Sequence, residues 1–424
     1  MSLKTLYKLF FACGVLIIIN QCTTQKVNQS SSSKLYKKAN TDLAANYCIY
    51  HVNDSVSQLF YNISNESLIY KKTDTSNYFY SFVKIYLQIN TEENLNNQLD
   101  TASLIIRDKQ TNVLIKNLKG SILFNLKKGK NYFVNVNVFD FNKRSQYTHS
   151  MYADKTNPNH RQNFLITNSD NEVYYTNYFK PNETVYISSQ LNTEKLFNVD
   201  YFKSKFKLAP PPFSTEPMQR FNYKPDSVFS VYSKNDKIEL SLPNTGFYHL
   251  KTDEKTRDGV TFYIYEPSFP KIKDAEQMIL STRYIMAKRE FDNCINATDK
   301  KASIDKFWLD IGGSNERAME LLKKYYARVQ EANKTFTSFQ EGWKTDRGMI
   351  YIVFGAPNTV TKLKNGEIWT FGEAGTPNST EFAFTKVINP FTDNDFYLER
   401  GEVLKMPWYQ AVDTWRQGRI YLDN

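Results

Sequence analysis

Few side chains able to do chemistry stand in the most patterned part of this chain. Around residues 341–371 these are Glu341, Asp346 and Glu367, and all four histidines, His51, His149, His160 and His249, lie upstream. Carboxylates alone suit glycosidic hydrolysis, which needs an acid and a base held roughly 5 to 9.5 Å apart. Without histidine, triad chemistry, imidazole acid–base chemistry and histidine-bound zinc are removed from that stretch. Asp393-Asn394-Asp395 would open a calcium loop, but the rest of the EF-hand pattern is missing. Cys48 and Cys294, the cysteines beyond residue 22, leave open one bridge or two lone thiols. The expectation is a protein that is not an enzyme, with no catalytic, cofactor-binding or metal site. The alternative is an envelope glycan or peptidoglycan hydrolase.

The elements that would hold these residues change along the chain. From Tyr47 to Asp140 short segments alternate apolar and polar residues, as in Tyr132-Phe133-Val134-Asn135-Val136-Asn137-Val138, with turn-rich pieces between them. That period predicts strands with one buried face, spaced as in a sandwich. A second β-rich stretch follows to about residue 270. It is interrupted by Leu208-Ala209-Pro210-Pro211-Pro212-Phe213, which reads as an inter-strand loop or as a docking segment for an aromatic groove.

After Pro270 the period becomes helical. Asp274 caps a helix running through Met278, Ile279 and Tyr284 towards Phe291, and a second helix stops at Gly312-Gly313. Ser314 or Asn315 starts a long one with Met319, Leu322, Tyr326, Val329 and Phe336 as its apolar stripe. Lys323, Lys324, Arg328 and Lys334 are read as its solvated face.

Gly342 then stands where a left-handed residue would end that helix, with Trp343 packing back on the last turn. Thr345-Asp346-Arg347-Gly348 reads as a tight turn launching Met349 to Phe354 as a central strand, which Gly355-Ala356-Pro357 stops. Asn365-Gly366 joins a hairpin, Glu381 to Val387 adds a strand, and Pro407 to Trp415 forms a closing helix. In this reading Asp346→Ala costs about 1 to 2 kcal/mol, as for a lost cap.

The run Gly342-Trp343-Lys344-Thr345-Asp346-Arg347-Gly348, with Gly355-x-Pro357 behind it, resembles the GWxTD domain of cell-envelope proteins from Bacteroidota-type bacteria. The resemblance covers about 270 to 424. It implies an envelope protein and, by lineage, partners in secretion, gliding or outer-membrane assembly machinery. Gly342, Trp343, Thr345, Asp346, Arg347, Gly348, Gly355 and Pro357 are expected to be structural.

The N-terminus carries Lys4 and Lys8, an apolar run from Leu9 to Ile19, and then Cys22. The run suits a signal-peptide core and is shorter than the about 20 residues that span a bilayer. Cys22 sits where a lipoprotein would be cut and acylated, although Gln21 replaces the usual small residue before it. The first acid beyond Cys22 is Asp42, so the acidic cluster typical of surface-exported lipoproteins is missing and a periplasm-facing outer-membrane anchor is expected. The formal charge of +10 comes without a basic run of five or six residues. Residues 342–424 hold nine basic and ten acidic residues, a net of −1, and nucleic acid is not an expected partner.

The expected layout is a multidomain, mainly β chain. It has a lipoprotein signal at 1–22, a flexible tether at 23–41, and two antiparallel Ig-like β-sandwiches at 42–160 and 161–270. A helical connector at 271–341 leads into a small α+β domain at 342–424 and belongs to the same unit. The partners would be the membrane through the lipid and other envelope proteins. A polysaccharide-binding module, marked by an exposed row of tyrosines and tryptophans, is the third reading, with glycan as its partner.

Overall fold

A computed structural model describes residues 43–421, apart from 73–76, 92–93, 112–115, 190–195, 204–205, 218–220, 235–236, 253–256, 364, 374 and 377–378. The expected signal segment, Cys22 and the tether lie outside the described residues. The chain is mainly β, 40% strand against 25% helix, in several antiparallel sheets with a helix at the C-terminal end. None of the described helices is long and apolar enough to cross a membrane.

The first strands are β1 (Ala45–His51), β2 (Val56–Ser64), β3 (Lys71–Lys72), β4 (Phe79–Thr91), β5 (Asn94–Lys109), β6 (Asn117–Asn125), β7 (Asn131–Asp140) and β8 (Ser145–Asp154). β1-β2-β6 form one sheet; β3-β4-β7-β8, with β5 on β4, form another. Every second residue of β4 from Ser81 to Thr91 is buried, and Leu59 and Ile63 of one sheet share a core with Ile85, Leu87 and Val136 of the other. Side chains of this kind contribute roughly 1.5–3 kcal/mol each on full burial, which is why period two fixes the inward face.

β9 (Phe164–Thr167), β10 (Tyr178–Phe179), β11 (Glu183–Ser189), β12 (Leu196–Phe202), β13 (Ser227–Tyr232), β14 (Lys237–Leu242), β15 (Gly246–Lys251) and β16 (Gly259–Ile264) come next. They pair as β14-β11-β9 and as β10-β16-β15-β12-β13. The larger sheet is covered on both faces. Val199, Leu250 and Phe262 pack with Val185, Ile187 and Leu240 of the smaller sheet, while Phe202, Phe247 and Tyr263 meet Phe391 from the C-terminal end of the chain. β16 is buried at all six positions, and its run of apolar residues without strict alternation follows from cover on both sides.

The remainder comprises α1 (Ala275–Thr282), α2 (Lys288–Ile295), α3 (Lys300–Gly312), α4 (Asn315–Phe336), a 3₁₀ turn at Gly342–Lys344, α5 (Asp346–Phe354), β17 (Thr359–Leu363), β18 (Gly366–Phe371), β19 (Thr380–Lys386), β20 (Phe396–Leu398) and α6 (Lys405–Arg416). Asp274, Asp299 and Ser314 cap α1, α3 and α4 with their side chains. The strands form one sheet in sequence order, and the expected hairpin is present, but Leu363 pairs with Gly366, so Gly366 opens β18 and is not a turn residue.

Four expectations are corrected. Met349 to Phe354 is not a strand but the body of α5, with Arg347 to Phe354 buried throughout. A short apolar run buried on every side carries no period to separate strand from helix, and the cap at Thr345 decides it. The first connector helix stops at Thr282, where the Ser281 and Thr282 hydroxyls both donate to Met278 O (3.1 and 2.7 Å), competing with the helical ladder. The stripe of α4 is rotated: Ala318, Leu321, Tyr325, Val329, Ala332 and Phe336 are buried, while Met319 is 56% exposed. Arg328 is buried instead of solvated, donating to Ile352 O and Val353 O at the C-terminal end of α5 (3.2 and 3.3 Å). There the carbonyls have no intrahelical partner and the helix dipole favours a cation.

Cys48 in β1 and Cys294 in α2 are free thiols, and burial pushes the Cys48 thiol up to about 11. His51 and His249 are each 1% exposed. His51 bonds Ser57 Oγ (2.9 Å) and Asp154 O (3.0 Å), and His249 bonds Thr261 Oγ1 (2.8 Å) and Arg257 O (2.7 Å). Burial lowers both to about 4. Because the unfolded chain binds these protons first, stability is full above pH 6.5 and falls as pH drops towards 4, by up to about 3 kcal/mol per histidine. Urea midpoints should therefore decline between pH 6.5 and 4, and the pair His51→Gln and His249→Gln should flatten that decline. An unchanged slope in the double variant would assign the decline to carboxylates.

Candidate functional site

The run 342–348 folds as two linked caps, and backbone proximity dictates its glycines. Neither Gly342 nor Gly348 has a positive φ, so the expected left-handed helix stop and turn glycine are both corrected. A Cβ on Gly342 would lie 1.9 Å from Ala332 O of α4, and one on Gly348 would lie 1.8 Å from Gly342 O. Both glycines are there because backbone packs on backbone. The 3₁₀ turn between them buries Trp343 to 1% exposure. Its amide donates to Asn333 Oδ1 (3.1 Å) and its carbonyl accepts from Tyr284 Oη (2.9 Å). The indole therefore packs through this turn, beyond the end of α4 at Phe336, and not as part of a Schellman motif.

Thr345 is the cap of α5. Its hydroxyl accepts from Gly348 N (3.0 Å) and donates to Gly342 O (2.7 Å). At the other end Gly355, at φ +86°, lets the chain leave the helix, and Pro357 is buried just beyond it.

Asp346, in the first turn, is free to bond elsewhere. Its carboxylate accepts from Leu398 N (2.8 Å) and from both terminal nitrogens of Arg400, one at 3.1 Å. Both side chains are nearly closed to solvent, at 10% and 5% exposure. Arg400 also donates to Pro210 O (3.1 Å), while Gly401 N donates to Pro212 O (3.0 Å) and Ala209 N to Lys344 O (3.2 Å). The proline run is thus an inter-strand loop strapped across the signature. Prolines offer carbonyls without competing amides, and two of those carbonyls serve here.

Arg347 pairs with Glu367 (3.2 Å) inside the fold. It also reaches Asn394 O (3.0 Å), with its guanidinium 3.9 Å from the centre of the Phe396 ring. Glu367 Oε1 accepts from Trp369 Nε1 as well (3.1 Å). Glu341 pairs with Lys344 (2.8 Å). The three carboxylates singled out in the sequence are therefore held by three different cations. A raised carboxyl does stand nearby: Asp395 is pushed up to about 6 by burial, with Asp346 adding to the shift and Arg347 opposing it.

Asp393, Asn394 and Asp395 do not converge. Asp393 faces Arg161 (3.0 Å), whose charge holds it well below the usual carboxylate range. Asn394 donates to Thr335 O and Thr337 O (3.0 and 2.9 Å), and Asp395 accepts from Asn389 (3.0 Å). The calcium-loop arrangement is absent, and no metal-ligating cluster occurs among the described residues. Asp393 instead edges a polar cleft with Asn157, His160, Arg161, Asp258 and Asn389, where segments from three parts of the chain meet.

Arg400, Asn394, Asn333 and Arg328 complete the network and were not visible in the sequence. Each meets its signature partners from 10 to 54 residues away, and no local pattern marks such a pairing.

A comparison with protein families finds a GWxTD domain at residues 246–417, from β15 through α6 and so including two strands of the doubly covered sheet. Comparison with curated proteins returned no match.

Proposed function

We propose that this chain is a non-catalytic binding or scaffold component of a bacterial cell-envelope machinery serving secretion, gliding or outer-membrane assembly. In this reading it is a lipoprotein of a Bacteroidota-type organism, anchored through Cys22 to the outer membrane and facing the periplasm. Two Ig-like sandwiches carry the exposed edges and loops that recognise partner envelope proteins. The observation that carries the reading is the commitment of Asp346, Arg347 and Glu367 to buried ion pairs within the chain, which leaves the signature as a folding device.

In-cell crosslinking of the full-length protein, followed by purification from its native envelope, should recover a discrete protein partner. Palmitate labelling should be lost in Cys22→Ala. Release of fragments from peptidoglycan by the purified protein would overturn the non-catalytic reading.

One observation favours a second reading, hydrolysis of envelope glycan: the raised Asp395 carboxyl has the pKa of a general acid. It predicts glycan cleavage that disappears in Asp395→Asn.

A further inference from the structure

The outward face of the sheet formed by β5-β4-β7-β8 is built unlike an ordinary solvated surface. Its middle is a ladder of uncharged polar groups held in place by one another. Asn137 donates to Gln88 Oε1 (3.1 Å) and accepts from Thr148 Oγ1 (2.7 Å) and Gln146 Nε2 (3.2 Å), while Ser150 donates to Asn135 Oδ1 (2.7 Å). Asn137 itself is buried at 2% exposure with its amide fully engaged. It fixes Gln88, Gln146 and Thr148 around it, whose remaining polar atoms stand at set positions, the preorganisation that binding of hydroxyl groups requires.

Aromatic rings flank the ladder. Tyr86 lies opposite Asn137, and Phe133 and Tyr152 meet edge to face at 5.6 Å, with Tyr152 42% exposed. Three cations stand at one end, stacked on rings. Arg107 lies 4.1 Å from the Tyr80 centroid, Lys109 lies 3.2 Å from that of Tyr78, and Lys84 lies 5.6 Å from that of Tyr86.

Charge decides the ligand. Among the described residues none of these three cations has a carboxylate partner. Asp108 and Asp140 in the same strands are buried on the inner face. Asp154, at the outward register at the end of β8, accepts from Thr156 N and Asn157 N of the next turn (2.8 and 3.2 Å). Among the described side chains the face is therefore cationic and neutral, with stacking surfaces and hydrogen-bonding groups side by side.

We propose that it binds an acidic polysaccharide. Sugar hydroxyls would bond the amide and hydroxyl ladder, the apolar faces of the rings would lie on Tyr86, Phe133 and Tyr152, and uronate or sulfate groups would meet Lys84, Arg107 and Lys109. Three inter-strand gaps of about 4.8 Å give a platform roughly 14 Å wide, enough for one chain laid along it. Phosphate-rich ligands fit less well, because the cations occupy only one end and most of the face is uncharged.

The inference rests on the binding reading above but concerns a sheet face and a glycan, not the edges and loops that would meet a protein partner, so the two fail separately. The test is affinity electrophoresis of the full-length protein in gels containing alginate or neutral dextran, beside binding to phosphatidylglycerol vesicles and oligo-dT. Alginate should retard the protein strongly, dextran weakly, and salt should release it. The double variant Tyr86→Ala and Arg107→Ala should lose at least about tenfold in affinity, as expected for one stacking surface and one charge. Its thermal midpoint should be unchanged, since both side chains point outward. No retardation, equal retardation of the variant, or tighter binding to vesicles or oligo-dT would overturn the proposal. Cleavage of the alginate would overturn the non-catalytic reading alone.

Discussion

Gly348→Ala is expected to abolish the cooperative folding of the C-terminal unit or to lower its stability by more than about 3 kcal/mol. At an ordinary helical position the same change gains about 1 kcal/mol in helix propensity, so the sign itself is diagnostic. Gly348 is in α5 at an ordinary helical φ, but a Cβ there would sit 1.8 Å from Gly342 O. Relief requires moving the 342–344 turn by more than an ångström. That turn holds Trp343, which is pinned by Asn333 and Tyr284. Overpacking of a flexible side chain typically costs about 1–3 kcal/mol, and here the obstacle is backbone. All five tryptophans lie between Trp308 and Trp415 and all are buried. Tryptophan fluorescence during urea unfolding therefore reports on this unit selectively. A midpoint equal to or above that of the parent would show that Gly342 O does not pack on Gly348.

The second large effect belongs to Asp346. As a lost cap its removal would cost about 1 to 2 kcal/mol, but the cap is Thr345, and Asp346 is one half of a buried ion pair. Asp346→Ala leaves the Arg400 guanidinium without its counter-charge, and breaking such a pair costs about 3–5 kcal/mol. Arg400 would keep only the neutral carbonyls of Leu398 and Pro210, and its Nε has no partner, so nothing replaces the lost charge. Thr345→Ala should cost only about 1 kcal/mol. In an Arg400→Met background the Asp346→Ala change should cost little or be stabilising, because it removes a carboxylate that the first substitution leaves buried without its counter-charge. If Thr345→Ala proves the costlier single change, or if the Arg400→Met background leaves the cost of Asp346→Ala intact, the pair does not hold this unit together.

The two effects describe one device seen from different sides. The glycines let α4, the 3₁₀ turn and α5 approach to backbone contact, and the arginines then fasten distant segments to that knot. Arg400 brings in β20 and the proline strap, Arg347 brings in β18 through Glu367 and the loop before β20 through Asn394, and Arg328 closes the far end of α5. Gly342, Trp343, Thr345, Asp346, Arg347 and Gly348 all make close contacts within the chain.

Much of this is legible in the sequence. Alternation along β4 and β7 marked an inward face, because burial of every second residue leaves a period-two trace. Asp274 and Ser314 marked helix starts and Asn365-Gly366 a hairpin, since each acts through neighbours one to three residues away. The identity of the signature run was also in the sequence, and the same run matches a known domain.

Other features could not be read there. Met349 to Phe354 reads as a strand because burial on all sides erases the period that would distinguish the two, and the cap at Thr345 makes it a helix. The stripe of α4 is displaced by one residue, a rotation of about 100°, and Arg328 is drawn inward by carbonyls that only the folded α5 presents. The partners of Asp346 and Arg347 lie up to 54 residues away. The sequence alone determined where local physics acts: caps, turns, alternation and the signature's residue types. The tertiary structure decided what those residues are for, because ion pairing, close backbone approach and double-sided burial depend on distances that linear spacing does not encode.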